Sequence, residues 1–296
     1  VIARAMSPRR KKETSRAAAA RRRPPPDAWR ANGIVTLITD FGTSDPYVGM
    51  MKGVVLARHE TARLVDITHD VPAQDVRLAA WFLKHASACF AEGTVHVAVV
   101  DPGVGSDRRL LVASDRGHAF LAPDNGLLAP VLTRDAEVYE LDSGRFARAD
   151  CSRTFHGRDI LAPAAAVIAA GLAPRACGLA RVDDWTKVHL PEPRRRSASL
   201  VEGEVLHADR YGNLVLNLRP EDLGSASMAT GDLARWEIIA GRRAIAIRGH
   251  YAEARAGELV ALVDSYGQLE IAVRDGSAAD VLRLRAGAVV EARRRP

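Results

Sequence analysis

Residues 95–109, VHVAVVDPGVGSDRR, hold the residue types and spacing best suited to chemistry. Val95, Val97, Val99 and Val100 make a β-forming run that ends on the carboxylate of Asp101. Pro102, Gly103 and Gly105 then form a tight turn, and Arg108 and Arg109 follow it. In open α/β sheets, ligands collect just beyond the carboxyl ends of strands. An acid at such an end, a turn that exposes backbone N–H groups and a returning guanidinium together suit a small polar ligand. A strand, a turn and a surface salt bridge would use the same residues, so the neighbouring segments must decide.

Those segments read as a framework for that strand end. GIVTLITDFG (33–42) is a buried, parallel-type strand ending in Asp40 and Gly42. Asp45-Pro46 predicts a helix start with Asp45 as N-cap, followed by apolar positions at Val48, Met51, Val54 and Val55. LVDITHD (64–70) is a second short strand, and Asp75 opens a helix with Leu78, Ala79, Phe82 and Leu83 on one face. This β-α-β-α-β order predicts an α/β domain with a mainly parallel sheet over residues 33–190. Strand-like stretches at 110–114 and 119–121 lead to a turn at PDNG, and TFHGRD precedes an Ala-rich helix with Pro163 near its start. PEPRRRSAS (191–199) reads as a polar linker. Short alternating strands at 200–207, 214–218, 234–239, 258–263 and 269–272 then predict a small β-barrel domain over 200–296. No internal repeat is evident.

Composition narrows the function classes. The net charge of +6 is a property of one end: residues 1–32 carry ten Lys or Arg against Glu13 and Asp27, which leaves the remainder at −2. That Ala-, Arg- and Pro-rich segment reads as a disordered basic tail without the apolar core of a signal peptide, and nucleic-acid binding is not expected of the mildly acidic remainder. No apolar run is long enough to span a bilayer, so no membrane partner is expected. Three widely separated cysteines, Cys89, Cys151 and Cys177, argue against a disulfide scaffold or a structural zinc site and fit a reducing cytoplasm.

Seven stretches, in order, resemble one family: VTLITDFGTSDPYVGMMKGVV, VDITHDVPAQDVRLAA, GTVHVAVVDPGVGSDRRLL, APDNGLL, TFHGRDILAPAAA, DRYGNLVLNL and DSYGQLEIAV. They are similar to the S-adenosyl-L-methionine hydroxide adenosyltransferases, relatives of the adenosyl-halide synthases, from about residue 34 to about residue 284. The resemblance implies a homotrimer with S-adenosylmethionine held between the N-terminal domain of one subunit and the C-terminal domain of its neighbour. It implies attack of water or hydroxide on ribose C5′, giving adenosine and L-methionine, with no metal or cofactor. The family's Asp–Arg–His triad falls on Asp101, Arg108 and His156. Asp40 would accept hydrogen bonds from the ribose hydroxyls, as strand-end acids do in nucleotide folds. Asp209 would meet the methionine ammonium, Asn213 the adenine edge, Ser265 the methionine carboxylate, and backbone near Ala278 the adenine. Arg274 stands where family members often have Asn. Asp66, Thr68, His69 and Asp70 take a structural role in this reading, and Trp81 and Phe82 are core residues.

The chemistry is self-consistent. A sulfonium leaves as a neutral thioether, so no general acid is required, and the protein must supply a positioned, partly deprotonated water in a dry pocket. A histidine is one candidate for the proton, or the carboxylate and arginine could lower the water's pKa. Three alternatives predict other residues. A halide synthase would replace the acid of the DPGVG turn, because a carboxylate repels a bound anion, and the fluorinating members carry an extra loop before the PDNGLL segment. A metal-dependent hydrolase would use Asp66, His69, Asp101 and His156, which lack a recognised ligand spacing. A non-catalytic nucleoside- or nucleic-acid-binding protein would rely on the pocket alone or on the basic tail.

Overall fold

The computed structural model describes residues 29–225 and 230–295, so most of the expected basic tail lies outside the described residues. Its last residues belong instead to the folded unit. The Trp29 indole donates to the Ile168 carbonyl at 3.1 Å, and the Asn32 amide donates to Ala91 O, Glu92 O and Thr94 Oγ1 while accepting from the Ile34 N–H. No helix among the described residues is long and apolar enough to cross a membrane.

The N-terminal unit runs β1 (Ile34–Thr39), α1 (Tyr47–Arg58), β2 (Arg63–Thr68), α2 (Val76–Ser87) and β3 (Val95–Val99), as the periodicity predicts. It continues with β4 (Leu110–Asp115), β5 (His118–Pro123), β6 (Glu137–Leu141), α3 (Ser143–Phe146), a π-helical turn (Gly157–Leu161), α4 (Ala162–Ala169) and β7 (Gly178–Arg181). The sheet order is β2-β1-β3-β5-β4-β6-β7. Pairings are parallel from β2 to β5 and antiparallel from β5 to β7, so the expected mainly parallel sheet is in fact mixed. The reason is local: Arg116 and Gly117 both take positive φ (47° and 76°), the signature of a two-residue hairpin turn that folds β4 back on β5. That hairpin leaves no extra loop between Arg109 and PDNG.

Apolar residues cover both sheet faces. Val35, Leu37, Val95 and Val97 pack with α1 and α4, while Ile38 and Ala98 pack with α2 on the other side. Two-sided burial explains why β1 and β3 are continuous apolar runs rather than alternating ones. Asp75 caps α2, accepting from Leu78 N at 2.9 Å. Asp45 makes no such bond: Pro46 occupies the N-cap position of α1, and its carbonyl already accepts from Met50 N.

The expected linker at 191–199 contains a strand. β8 (Arg194–Ser197) pairs with β9 (Leu200–Ala208) and joins the second sheet. That sheet also holds β10 (Leu214–Leu216), β11 (Trp236–Ala240), β12 (Arg243–Ala246), β13 (Leu259–Val263), β14 (Leu269–Val273) and β15 (Val289–Arg294), ordered β12-β11-β15-β9-β10-β14-β13. Short helices α5 (Thr230–Leu233) and α6 (Ala278–Leu282) fill gaps between strands. A bridge between Ile247 and Ala261 draws the two end strands together, which nearly closes the sheet into a barrel around Leu214, Leu216, Ile238, Ile271 and Val290. Trp81 lies at the junction: with Leu78 it packs on Val215 of the barrel, so it is core between the units.

At β7, a side-chain carbon on Gly178 would collide with Cβ of Tyr139 across the strand pair. Gly178→Ala is therefore expected to destabilise the fold by about 1–3 kcal/mol, the usual cost of overpacking. Chemical denaturation checks this, and an unchanged midpoint would mean that β7 does not seat on β6 as described.

Candidate active site

The order β2-β1-β3 places the chain reversal between β1 and β3, and the crevice beyond their carboxyl ends is where α/β sheets bind ligands. Asp40 follows β1 and Asp101 follows β3, and the two strands pair with Thr39 opposite Val99. The two carboxylates therefore end adjacent strands at one crevice.

Three interactions hold the DPGVG turn in shape. Asn125 of the PDNG segment donates to Val100 O at 2.7 Å, anchoring the backbone just before Asp101. Val104 N and Ser106 N bond back to Asp101 O and Gly103 O. Gly105 has φ +83°, and a Cβ there would lie 2.8 Å from Arg153 O, so glycine lets the turn rest against the loop that carries His156. Arg109 does not join the site. It binds Asp124 and Asp184, tying the PDNG segment to residues 184–186.

Arg108 is the centre of the cluster. Its Nε donates to both oxygens of Asp101 (2.8 and 2.9 Å), and its Nη2 makes a further short bond to Asp101 Oδ2. The same Nη2 lies 3.0 Å from Nδ1 of His156. Arginine can only donate, so Nδ1 is the acceptor and the neutral imidazole carries its proton on Nε2. Desolvation, and then the Arg108 charge, hold the His156 pKa below the ordinary histidine value, against the opposing pull of Asp101 and Asp159. Asp101 and Arg108 side chains are only 7% and 9% exposed, which limits solvent screening of the pair. The arrangement presents a neutral Nε2–H donor, a carboxylate with spare lone pairs and a fixed cation. It leaves Nε2 unable to act as the proton acceptor.

Sequence reasoning missed the residue that seats His156. Asp159 is fully buried, binds Arg158 through two bonds of 2.7 and 2.8 Å, accepts from Ser152 N at 2.8 Å and faces Arg148. Burial by itself would raise its pKa, but the Arg158 bonds, the Ser152 N–H and the Arg148 charge outweigh that and hold it below the usual carboxylate range. Next to His156, a Cβ on Gly157 would sit 3.1 Å from Val99 Cγ1, so this glycine lets the π-turn press onto the end of β3. Phe41, Tyr47 and Phe155 meet edge-to-face at 5.4–5.8 Å between ring centres and form an apolar wall beside the histidine.

The remaining predicted residues fall into two groups. Asp40 Oδ2 accepts from Gln74 N at 2.8 Å and so ties the loop before α2 to the crevice. On the barrel, Asp209 Oδ1 accepts from Tyr211 N and Asn213 N, and its Oδ2 binds the Asn213 amide at 3.0 Å. Gly212 of this turn abuts Ser277, and Ala279 N donates to Gly212 O, which brings Asp209, Asn213 and Ala278 together. Ser265 is exposed in the turn between β13 and β14. There Asp264 Oδ1 accepts from Tyr266 N and Gln268 N, as Asp209 does from Tyr211 and Asn213. The chain thus holds a repeat that was not recognised in the sequence: two D-x-Y-G turns, each heading a hairpin, with β10 and β14 paired. Within one chain, among the described residues, no hydrogen bond or ion pair joins the barrel group to the triad or Asp40.

The four residues of the metal-hydrolase alternative are spent elsewhere. Asp66 pairs with Lys52 and His69, His69 Nδ1 bonds to Thr39, and His156 and Asp101 bond to Arg108. Among the described residues, no group of three or more His, Cys, Asp or Glu side chains is placed to hold a metal ion.

Both units match known proteins. Residues 35–178 match the model of the SAM hydroxide adenosyltransferase N-terminal domain, and residues 203–291 match that of its C-terminal domain. A Thermus thermophilus protein named (R)-S-adenosyl-L-methionine hydrolase is 37% identical over 262 residues, covering 86% of this chain and 96% of that protein. A Nocardia brasiliensis fluorinase is more distant, 26% identical over 288 residues, 87% of this chain and 96% of its own length. Among solved structures, an uncharacterised conserved protein from Thermotoga maritima superposes with a TM-score of 0.79 at 32% identity, covering 88% of this chain and all of its own.

Because the Asp159 pKa is depressed on folding, its contribution to stability is complete above the unfolded carboxylate value of about 3.9 and fades as pH falls through the lower folded value. Asp159→Asn is expected to lower stability by about 1–3 kcal/mol at pH 7, with the gap closing toward pH 2. Melting curves of both proteins across that range test the assignment, and a gap independent of pH would refute it.

Proposed function

The chain belongs to the SAM hydroxide adenosyltransferase family, and from that premise we propose that it hydrolyses S-adenosyl-L-methionine to adenosine and L-methionine on the Asp101–Arg108–His156 cluster. The observation that carries the proposal is the single guanidinium that binds Asp101 and His156 at once.

In the proposed course, a water sits between Asp101 and the Nε2–H of His156. The imidazole donates to the water's oxygen and orients a lone pair toward C5′, while Asp101 accepts a hydrogen bond from the water. As the O–C5′ bond forms, the C5′–S bond breaks with its electron pair going to sulfur, and the proton passes to Asp101 and then to solvent. Arg108 favours the negative charge that develops on the oxygen and keeps Asp101 in place. The leaving thioether is neutral, so no acid is placed behind it and neither metal nor cofactor enters the step. With Tyr47 covered by a neighbouring barrel in the proposed assembly, the ring cluster of Phe41, Tyr47 and Phe155 would limit water at the crevice. A halide would have to settle beside the Asp101 carboxylate, which disfavours the halide-synthase alternative.

The ribose hydroxyls would bond to Asp40, the methionine ammonium to Asp209, the methionine carboxylate to Ser265 and the adenine to Asn213 and backbone near Ala278. Among the described residues no hydrogen bond or ion pair joins the barrel group to the triad within one chain, and Tyr47 and Tyr211 stand exposed on the two groups' surfaces (46% and 77%). Both facts support a site shared between subunits, and we assign it to a homotrimer, the assembly the resemblance implies, in which the barrel of one subunit completes the crevice of the next. The relative's name specifies the (R) epimer at sulfur, and we assign that epimer to this chain as well.

Product analysis is expected to show adenosine and methionine, unchanged by EDTA or by chloride in place of acetate, with the (R) epimer consumed faster than the (S). His156→Gln and Asp101→Asn should each lose about 10²–10⁴-fold in kcat. Protonating His156 breaks its bond from Arg108 and sets two cations side by side. Activity is therefore retained while the ring is neutral and falls on an acid limb below about 6.5, the ordinary histidine value; that limb should disappear in His156→Gln. A 5′-chloro-nucleoside product, or an unchanged rate in both variants, would overturn the proposal. For the shared site, Asp101→Ala and Ser265→Asp proteins should each be inactive, and refolding them together should restore activity. Failure to complement would place the whole site in one subunit.

A further inference from the structure

The junction between the two units encloses a second feature that the reaction does not use, a cleft of about 540 Å³. It lies among the end of α2, the segment 187–193 and the barrel strands, and its size is that of a small-ligand pocket. Lys84 from α2, Lys187 from the connecting segment and Arg219 after β10 all line it. Among the described residues these three cations form no ion pair. Lys84 ends a helix, where a cation is favourable, and Lys187 lies over the Trp185 ring with Nζ 3.0 Å from its centre; Arg219 comes from a third segment and has neither reason. Gln268, with its amide turned to donate to Leu216 O and Leu218 O, accepts from Arg219 Nε (3.1 Å) and Nη2 (3.2 Å), which holds the guanidinium at the cleft.

Two further polar groups lack a partner. Trp81 is 3% exposed, lines the cleft, and its indole N–H has no hydrogen-bond partner. His85 Nε2, also at the cleft, is buried and unpartnered. Buried polar groups in folded proteins are almost always satisfied, so an orphaned indole N–H beside three cations that lack a carboxylate partner marks a place built for an acceptor. The two carboxylates lining the cleft do not supply it: Asp222 Oδ2 accepts from Arg219 N, and Glu192 makes no ion pair among the described residues. Desolvation first, and then the charges of Arg219 and Lys84, push the His85 pKa down to about 4.

We infer that this interdomain cleft is a binding site for a small phosphate-bearing anion, free or esterified, held by Lys84, Lys187 and Arg219 and by the Trp81 indole N–H. Arginine and lysine converging with a neutral N–H donor match the geometry of a tetrahedral oxyanion. The site is separate from the crevice that holds Asp101. It is nevertheless coupled to the barrel, because Tyr266, next to Ser265, contacts both Trp81 and His85 at 4.7 and 5.2 Å between rings.

Isothermal titration of the full-length protein tests the assignment, with inorganic phosphate and with glycerol phosphate as probes at ionic strength held constant with sodium chloride. Saturable binding of at least one probe is expected, weakened about tenfold or more in Lys84→Gln and in Arg219→Gln, and weakened in Trp81→Phe, which keeps the ring packing and removes the donor. Comparable affinity for both probes assigns the free ion, and tighter binding of the ester assigns a phosphorylated metabolite. Lys84 is exposed, so its variant tests the site without threatening the fold. The absence of saturable heat with both probes would overturn the inference. Binding that survives in Lys84→Gln and Trp81→Phe, or that saturating adenosine displaces, would also overturn it, because the anion would then occupy another site.

Discussion

One guanidinium carries the constraint on which the geometry of the candidate site rests. Arg108 spends Nε–H and one Nη2–H on Asp101 and the other Nη2–H on His156, so a single rigid plane sets the positions of both. A lysine could not do this, because its point charge lacks the fork. The arrangement holds only if the DPGVG turn and the π-turn approach closely. Gly105 against Arg153, Gly157 against Val99, and the Asn125 bond to Val100 are the contacts that permit it. Asp159 acts at one remove, holding Arg158 and the loop from 148 to 156 that leads into His156.

The same fork decides the chemical character of the histidine. Facing a group that can only donate, Nδ1 must accept, and desolvation keeps the ring neutral. The imidazole is then a donor at Nε2, and the carboxylate is the only basic atom left in the cluster. Elsewhere the fold uses histidine for packing: His96 is buried between Thr36, His118 and Phe120, and burial, with the His118 charge a smaller contribution, takes its pKa to about 3.

The two units divide the labour. The parallel half of the first sheet makes the crevice by its strand order, and the antiparallel half braces it through the β4–β5 hairpin and the Arg109 contacts. The barrel offers two turns of the same construction, each an aspartate that caps two backbone N–H groups and a glycine at positive φ. One turn gathers Asp209, Asn213 and Ala278; the other presents Ser265 and reaches back through Tyr266 to α2 of its own chain.

Much of this was legible in the sequence for a physical reason: short-range pattern determines it. The apolar runs of β1 and β3, the Asp75 cap of α2, the strand-end positions of Asp40 and Asp101 and the alternating strands of the second unit all follow from neighbours a few residues apart. Motif order was enough to single out Asp101, Arg108 and His156 as a set, and the fold brings the three side chains together. Tertiary structure alone decided what depends on distant segments meeting. It made a strand of the polar boundary segment and anchored Trp29 and Asn32. It also revealed Asp159 as the support of the histidine, and it fixed the imidazole tautomer. A tautomer is set by whichever group faces the ring nitrogen across 48 positions of chain, and no local pattern carries that information.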